Sequence, residues 1–225
     1  MKPLNLFSVS SRSPRKYITS SNQLDDNNYV FIVKDLLDDE SLSRYLSDAS
    51  TVNRVRGDGV FGHKKPRYEI CYTIDGNPYR YSNINNETIR YPQHVLELQS
   101  ILMNRFIDES SKLGLQLNKD MFELSTGVDI LYTKDLKGSG SIAAHSDDEM
   151  HWPLILVYSL GQTRYFRIRN IATKEFTNVE IPHNSLLAMY GEDFQTKYTH
   201  QIDKLKDKDE LHDRHSLNIR YTWSV

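Results

Sequence analysis

From Phe122 to Trp223, apolar and polar positions alternate in short runs separated by turn residues. Alternating runs, together with short continuous apolar runs such as 154–160, predict strands at 122–132, 142–145, 154–160, 164–169, 176–181, 185–189 and 215–223. Lys137-Gly138-Ser139-Gly140 and Leu160-Gly161-Gln162 are the turn signals between them. The N-terminal part has helical spacing instead. Leu42, Tyr45 and Leu46 follow Asp38-Asp39-Glu40, whose acids suit the positive end of a helix. Val95, Leu98, Ile101, Leu102 and Ile107 form a stripe on a longer helix from about Pro92 to Lys112. A short strand at 29–33 precedes both. Helices followed by many strands predict a mainly-β, α+β chain: a sandwich backed by N-terminal helices. With no internal repeat and no linker, residues 29–225 read as one domain, preceded by a flexible basic tail over 1–28.

The last strand divides its faces cleanly. Arg214, Ser216, Asn218, Arg220 and Thr222 share one side; Leu217, Ile219, Tyr221 and Trp223 share the other. A solvated face on an antiparallel sheet gives this pattern. So does the cationic wall of a pocket, because Arg is a bidentate clamp for carboxylates and keeps its charge.

Composition narrows the class. The 225 residues are 38% hydrophobic and 26% charged, enough for a sizeable core, and no apolar run reaches membrane-spanning length. Cys71 is the single cysteine, which excludes an internal disulfide and fits a reducing compartment, nucleus or cytoplasm. Residues 1–24 hold Lys2, Arg12, Arg15 and Lys16, six serines and no acid, so an organellar transit peptide stays open beside the flexible tail. A net charge of −2 argues against bulk nucleic-acid binding unless positive charge is gathered locally. It is gathered at 52–67, where Arg54, Arg56, Lys64, Lys65 and Arg67 face only Asp58. Tyrosines then interleave with arginines from Pro66 through Tyr72, across a turn at Asp75-Gly76-Asn77-Pro78, to Tyr79-Arg80-Tyr81-Ser82. Such a hairpin could stack unpaired bases, or pack its tyrosines on a core.

His145-Ser146-Asp147 carries the candidate chemistry. On a strand, residues two apart share a face, so an imidazole and a carboxylate could reach one metal. A second, distant imidazole such as His200 would complete the facial triad of a non-haem Fe(II) oxygenase. Each element alone is weak.

The order His-x-Asp, remote His, Arg-x5-Arg resembles that of the AlkB-type nucleic-acid dioxygenases, which use Fe(II), 2-oxoglutarate and O₂. His145-Ser146-Asp147-Asp148-Glu149 is similar to that family's His-x-Asp box. Gly161-Gln162-Thr163-Arg164 is similar to its Gly-x-x-Arg turn, and Arg214 through Arg220 to its terminal signature. Pro66-Arg67, Tyr72 and Tyr79-Arg80-Tyr81-Ser82 resemble its nucleotide-recognition hairpin. The resemblance covers about Pro66 to Trp223. It implies a double-stranded β-helix, or jelly-roll, at about 122–225, with a recognition hairpin at about 66–82. It implies His145, Asp147 and His200 as iron ligands, and Arg214 as the clamp on the distal carboxylate of 2-oxoglutarate. Arg220, Tyr132 and Ser216 belong on the same cosubstrate side. Tyr81 would stack on a flipped base, Tyr79 would hold the nucleotide and Glu149 would read an exocyclic amino group, with Arg67 and Tyr72 also on the substrate side. The implied reaction is oxidative dealkylation of N-alkylated bases in single-stranded or locally unpaired DNA or RNA, by a monomer and away from membranes. It releases succinate, CO₂ and formaldehyde. The chain departs from the family at Ile130 and Ser216, where Asn is common, and in a longer segment between Tyr132 and His145. Two other readings share the motifs: a hydroxylase of proteins or small molecules, and a non-catalytic nucleic-acid-binding module on the same fold.

Overall fold

The structure, a computed structural model, describes residues 16–57, 64–81, 84–86, 88–134, 136, 140–147, 152–204 and 212–224, with backbone alone for 16–17, 79–81 and 84–86. The N-terminal part runs β1 (Lys16–Ile18), β2 (Asn22–Gln23), β3 (Tyr29–Val33), α1 (Asp39–Ser50), β4 (Tyr68–Thr73), β5 (Tyr79–Tyr81), β6 (Ile84–Asn86), β7 (Thr88–Arg90) and α2 (Gln93–Lys112). Then come β8 (Phe122–Tyr132), β9 (Ile142–His145), β10 (Leu154–Gly161), β11 (Arg164–Asn170), β12 (Phe176–Ile181), β13 (Ser185–Tyr190), α3 (Phe194–Lys197), β14 (Tyr198–Ile202) and β15 (Arg214–Trp223).

Two sheets carry the fold. One has the order β2-β3-β13-β10-β15-β8-β4-β7, the other β1-β12-β11-β14-β9. Helices α1 and α2 back the larger sheet, so the layers are helices, large sheet, small sheet. This is the jelly-roll core that the resemblance implies. β10 shows why. Its even positions, Leu154, Leu156, Tyr158 and Leu160, pack in the core shared with the helices. Its odd positions, Ile155 and Val157, pack in the core between the sheets. A strand covered on both faces reads as an unbroken apolar run. Truncating Leu156, fully buried, to Ala would cost about 2–5 kcal/mol. No helix among the described residues is long and apolar enough to cross a membrane.

Local chemistry sets the element ends. Asp38 caps α1 by accepting from the Ser41 N–H at 2.8 Å. Pro92 stands at the N-cap of α2. Gly161, at φ +86°, turns the chain from β10 into β11, and a Cβ there would collide with the Asp213 carbonyl. Only glycine lets this turn lie against the start of β15, where Gly161 pairs with Arg214.

Several expectations need correction. The tail is not free through residue 28: β1 pairs in parallel with β12, and β2 pairs with β3. Strands β4 and β5 do not form a hairpin with each other. β4 enters the large sheet between β8 and β7, while β5 pairs with β6. The Asp75 turn redirects the chain: its carboxylate accepts the Asn77 N–H at 2.9 Å and Gly76 takes φ +77°. The edge of β4 is then filled by β7 arriving in parallel. On α2, Phe106 is buried where Ile101 was expected; Ile101 is 37% exposed.

Candidate active site

β9 and β14 pair so that His145 lies directly opposite His200. Their ring centroids are 4.3 Å apart. His145 Nδ1 lies 2.8 Å from the Ala143 carbonyl, which fits Nδ1–H donation and leaves Nε2 to accept or ligate. Nε2 is 3.8 Å from Asp147 Oδ1. Ligand-capable atoms of His145, Asp147 and His200 all fall within 4.8 Å of one another. Phe166 stacks on His200 at 5.2 Å and 18°.

Two neighbours hold Asp147. Arg220 donates to Oδ2 from Nε at 3.1 Å and from Nη2 at 3.0 Å. The Asp147 N–H donates to Gln195 Oε1 at 3.0 Å. Burial alone would raise the Asp147 carboxyl, but Arg220 and the two imidazoles outweigh it and hold it at about 2. Burial, reinforced by His145, pushes His200 down to about 3, so its imidazole is neutral and able to ligate. Asp147 Oδ1 and His200 Nδ1 are buried with no hydrogen-bond partner among the described residues. Two imidazoles and one carboxylate, converging and with Asp147 Oδ1 and His200 Nδ1 unsatisfied, fit a divalent first-row cation such as Fe(II).

A cavity of about 390 Å³ runs from this cluster between the two sheets. Arg214, Ser216, Asn218 and Arg220 of β15 line it, so the polar face of that strand is a pocket wall and not a solvated surface. Arg214 is 2% exposed. Its Nε donates to Ser159 Oγ at 3.2 Å and its guanidinium lies over the Tyr132 ring, 5.4 Å from the centroid. Its Nη2 and the Tyr132 hydroxyl have no hydrogen-bond partner among the described residues. A buried cation in that state suits an anionic ligand.

Comparison with known proteins agrees with this chemistry. The family model described as "2OG-Fe(II) oxygenase superfamily" matches residues 30–220. The chain belongs to that superfamily. No curated protein matches it. Among solved structures, OsALKBH1 is similar at a TM-score of 0.59 and 15% identity, covering 85% of this chain and 97% of that one. An oxidoreductase of the 2OG-Fe(II) oxygenase family from Burkholderia pseudomallei is similar at a TM-score of 0.61 and 12% identity, covering 93% and 96%. These likenesses support the jelly-roll fold. The protein is therefore a dioxygenase that uses Fe(II), 2-oxoglutarate and O₂. Bound at the triad with its cosubstrate, iron supplies O₂-dependent oxidation of a C–H bond.

The other expected residues of this oxygenase divide. Arg67 lines the cavity, with Lys65, Glu69 and Cys71. Tyr132 is buried beneath Arg214 and is not part of the cavity lining. Tyr72 does not reach the site at all. Its parity on β4 turns it to the helix side, where it is fully buried. There its hydroxyl donates to Asp129 at 3.2 Å and its ring lies 5.4 Å from Tyr91. Tyr79 and Tyr81 are described only as backbone of β5, and Glu149 lies outside the described residues. Arg220 grips Asp147 of the candidate metal site, whereas the sequence placed it no closer than beside the cosubstrate. Sequence reasoning missed Glu69 and Gln195. Period-two parity with Arg67 could have revealed Glu69. Gln195 carries no signal of its own, because its partner is the backbone of a residue 48 positions away.

Proposed function

We propose that this oxygenase removes alkyl groups from N-alkylated bases in single-stranded or locally unpaired nucleic acid. The observation that supports this most is the cavity wall supplied by the basic stretch. Lys65 lines the cavity that ends at the candidate metal ligands, and the Arg56 guanidinium braces that segment by donating to the Lys65 carbonyl at 2.7 Å. A base can reach such a recess only by leaving its stack. Phosphates flanking a flipped nucleotide would meet the Lys65 ammonium at the cavity wall. The structural likeness to OsALKBH1 points the same way.

The balance is simple. One O₂ and one 2-oxoglutarate convert an N-methyl group to N-hydroxymethyl, with succinate and CO₂ as coproducts. The hemiaminal then releases formaldehyde and returns the N–H of the base. Within the chain, Arg220 and Gln195 keep Asp147 in place, burial keeps His200 neutral, and Arg214 holds the distal carboxylate. The test is succinate release with a methylated oligonucleotide, with its unmethylated twin, and with neither. Formaldehyde formed in step with succinate, and only with the methylated strand, supports the reading. Equal succinate release in all three arms, without formaldehyde, overturns it.

A further inference from the structure

Along β15, Arg220 lies beside the metal ligands and Arg214 six residues away, about 20 Å in extended chain. The Arg214 end has a second cation. In the register of the large sheet, Arg214 pairs with Tyr132 and Tyr68 pairs with Leu131. Arg67, one residue before Tyr68, therefore falls level with Tyr132 on the next strand. The three residues form a row across neighbouring strands about 4.8 Å apart, with an arginine on either side of Tyr132. Both arginines line the cavity.

The two guanidiniums are anchored alike. Arg214 gives its Nε to Ser159 Oγ at 3.2 Å. Arg67 gives its Nε to Glu69 Oε2 at 2.8 Å, and Lys65 takes Oε1 of the same carboxylate. Anchoring through Nε leaves the paired Nη donors of each for another acceptor. Arg214 has no acidic partner among the described residues, and the charge of Glu69 is divided between Lys65 and Arg67. Ile130 and Ser216, which line the cavity at the same end, provide no amide donors there.

We propose that Arg67 is a second carboxylate-binding residue of the cosubstrate pocket, sharing the distal carboxylate of 2-oxoglutarate with Arg214. The inference rests on the 2-oxoglutarate assignment, and it moves Arg67 from the substrate side to the cosubstrate side. Because Arg67 leads directly into β4, filling the pocket would also fasten the root of the substrate wall.

The experiment is calorimetric titration of the Mn(II)-loaded full chain without O₂, comparing wild type with Arg67→Met and Arg67→Lys. Three ligands are used: 2-oxoglutarate, 2-oxopentanoate, which lacks the distal carboxylate, and an unmethylated single-stranded oligonucleotide. Arg67→Met should weaken 2-oxoglutarate binding about 10-fold or more, the size of one charge-assisted contact, with 2-oxopentanoate and the oligonucleotide unchanged. Arg67→Lys should recover part of the loss. Binding of 2-oxoglutarate by Arg67→Met within twofold of wild type overturns the inference, as does equal weakening of both keto acids or weakening confined to the oligonucleotide. Failure of the wild type to bind 2-oxoglutarate would instead overturn the cosubstrate assignment, before any variant is compared.

Discussion

Arg220 places two hydrogen bonds on a single oxygen of Asp147, from Nε at 3.1 Å and Nη2 at 3.0 Å to Oδ2. Both groups are buried, at 9% and 3% exposure. The contact neutralises the carboxylate without using Oδ1, the oxygen that faces His145 Nε2. One oxygen is thus held for the fold and the other is left for a metal.

Arg220→Met should leave Asp147 as a buried, unpaired carboxylate and cost about 3–5 kcal/mol of stability in the metal-free protein. Mn(II) should restore more stability to the variant than to wild type, because the cation takes over the neutralising role. Thermal melts with and without Mn(II) measure this. An equal Mn(II) effect on both proteins would show that Arg220 does not support the ligand.

Arg214→Met should behave in the opposite sense. With no acid beside it among the described residues, the wild-type guanidinium bears the cost of burial, so the apo variant should melt at or above the wild-type temperature. Its KM for 2-oxoglutarate should rise on the order of 10²-fold, for roughly 3 kcal/mol of lost charge-assisted contact. Steady-state kinetics and a melt series with 2-oxoglutarate read both effects. An unchanged KM would move the cosubstrate elsewhere.

Asp129 gives a pH prediction. Burial raises this carboxyl, but His215, at 2.5 Å, and Arg54, with two contacts of 2.8 Å, outweigh it and hold it at about 2 against an ordinary 3.8. A folded value below the unfolded one means stability present above about pH 4 and lost as pH falls toward 2. The contribution is about 2–3 kcal/mol. Urea melts from pH 6 to 2 should show wild type losing that increment relative to Asp129→Asn, since Asn has no proton to gain. Parallel pH curves would remove Asp129 from the acid response.

Tyr72 belongs to the same buried network. Tyr72→Ala should cost about 3–5 kcal/mol of stability, and Tyr72→Phe about 1 kcal/mol for the lost bond to Asp129. Oligonucleotide affinity should be unchanged in Tyr72→Phe. Loss of affinity at wild-type stability would return Tyr72 to the substrate side.

Where local periodicity decides the outcome, the fold was legible. The alternation in β15 placed Arg214 through Arg220 on one face and the apolar residues on the other, as found. His145 and Asp147 were legible as a pair two residues apart. His200 was not, except through the family resemblance: β14 is five residues long and polar at Thr199, His200 and Gln201, so it shows no apolar alternation. Partner choice was also hidden. Nothing local in Tyr79–Tyr81 states that it pairs with Ile84–Asn86 while β4 joins the large sheet. The side of Tyr72 depended on that same choice, because joining β8 turned Glu69 and Cys71 to the cavity and Tyr72 to the helices. The brace from Gln195 to Asp147 exists only once β14 has been laid against β9.

The most direct test of the whole account is mass spectrometry of matched DNA and RNA oligonucleotides, each carrying one N-methylated base. They are incubated with the protein, Fe(II), 2-oxoglutarate and O₂, beside the Asp147→Ala variant. The account predicts loss of the methyl group from at least one oligonucleotide with wild type, dependent on 2-oxoglutarate, and no loss with Asp147→Ala. Methylated bases left intact by a wild-type protein that still converts 2-oxoglutarate to succinate would contradict it.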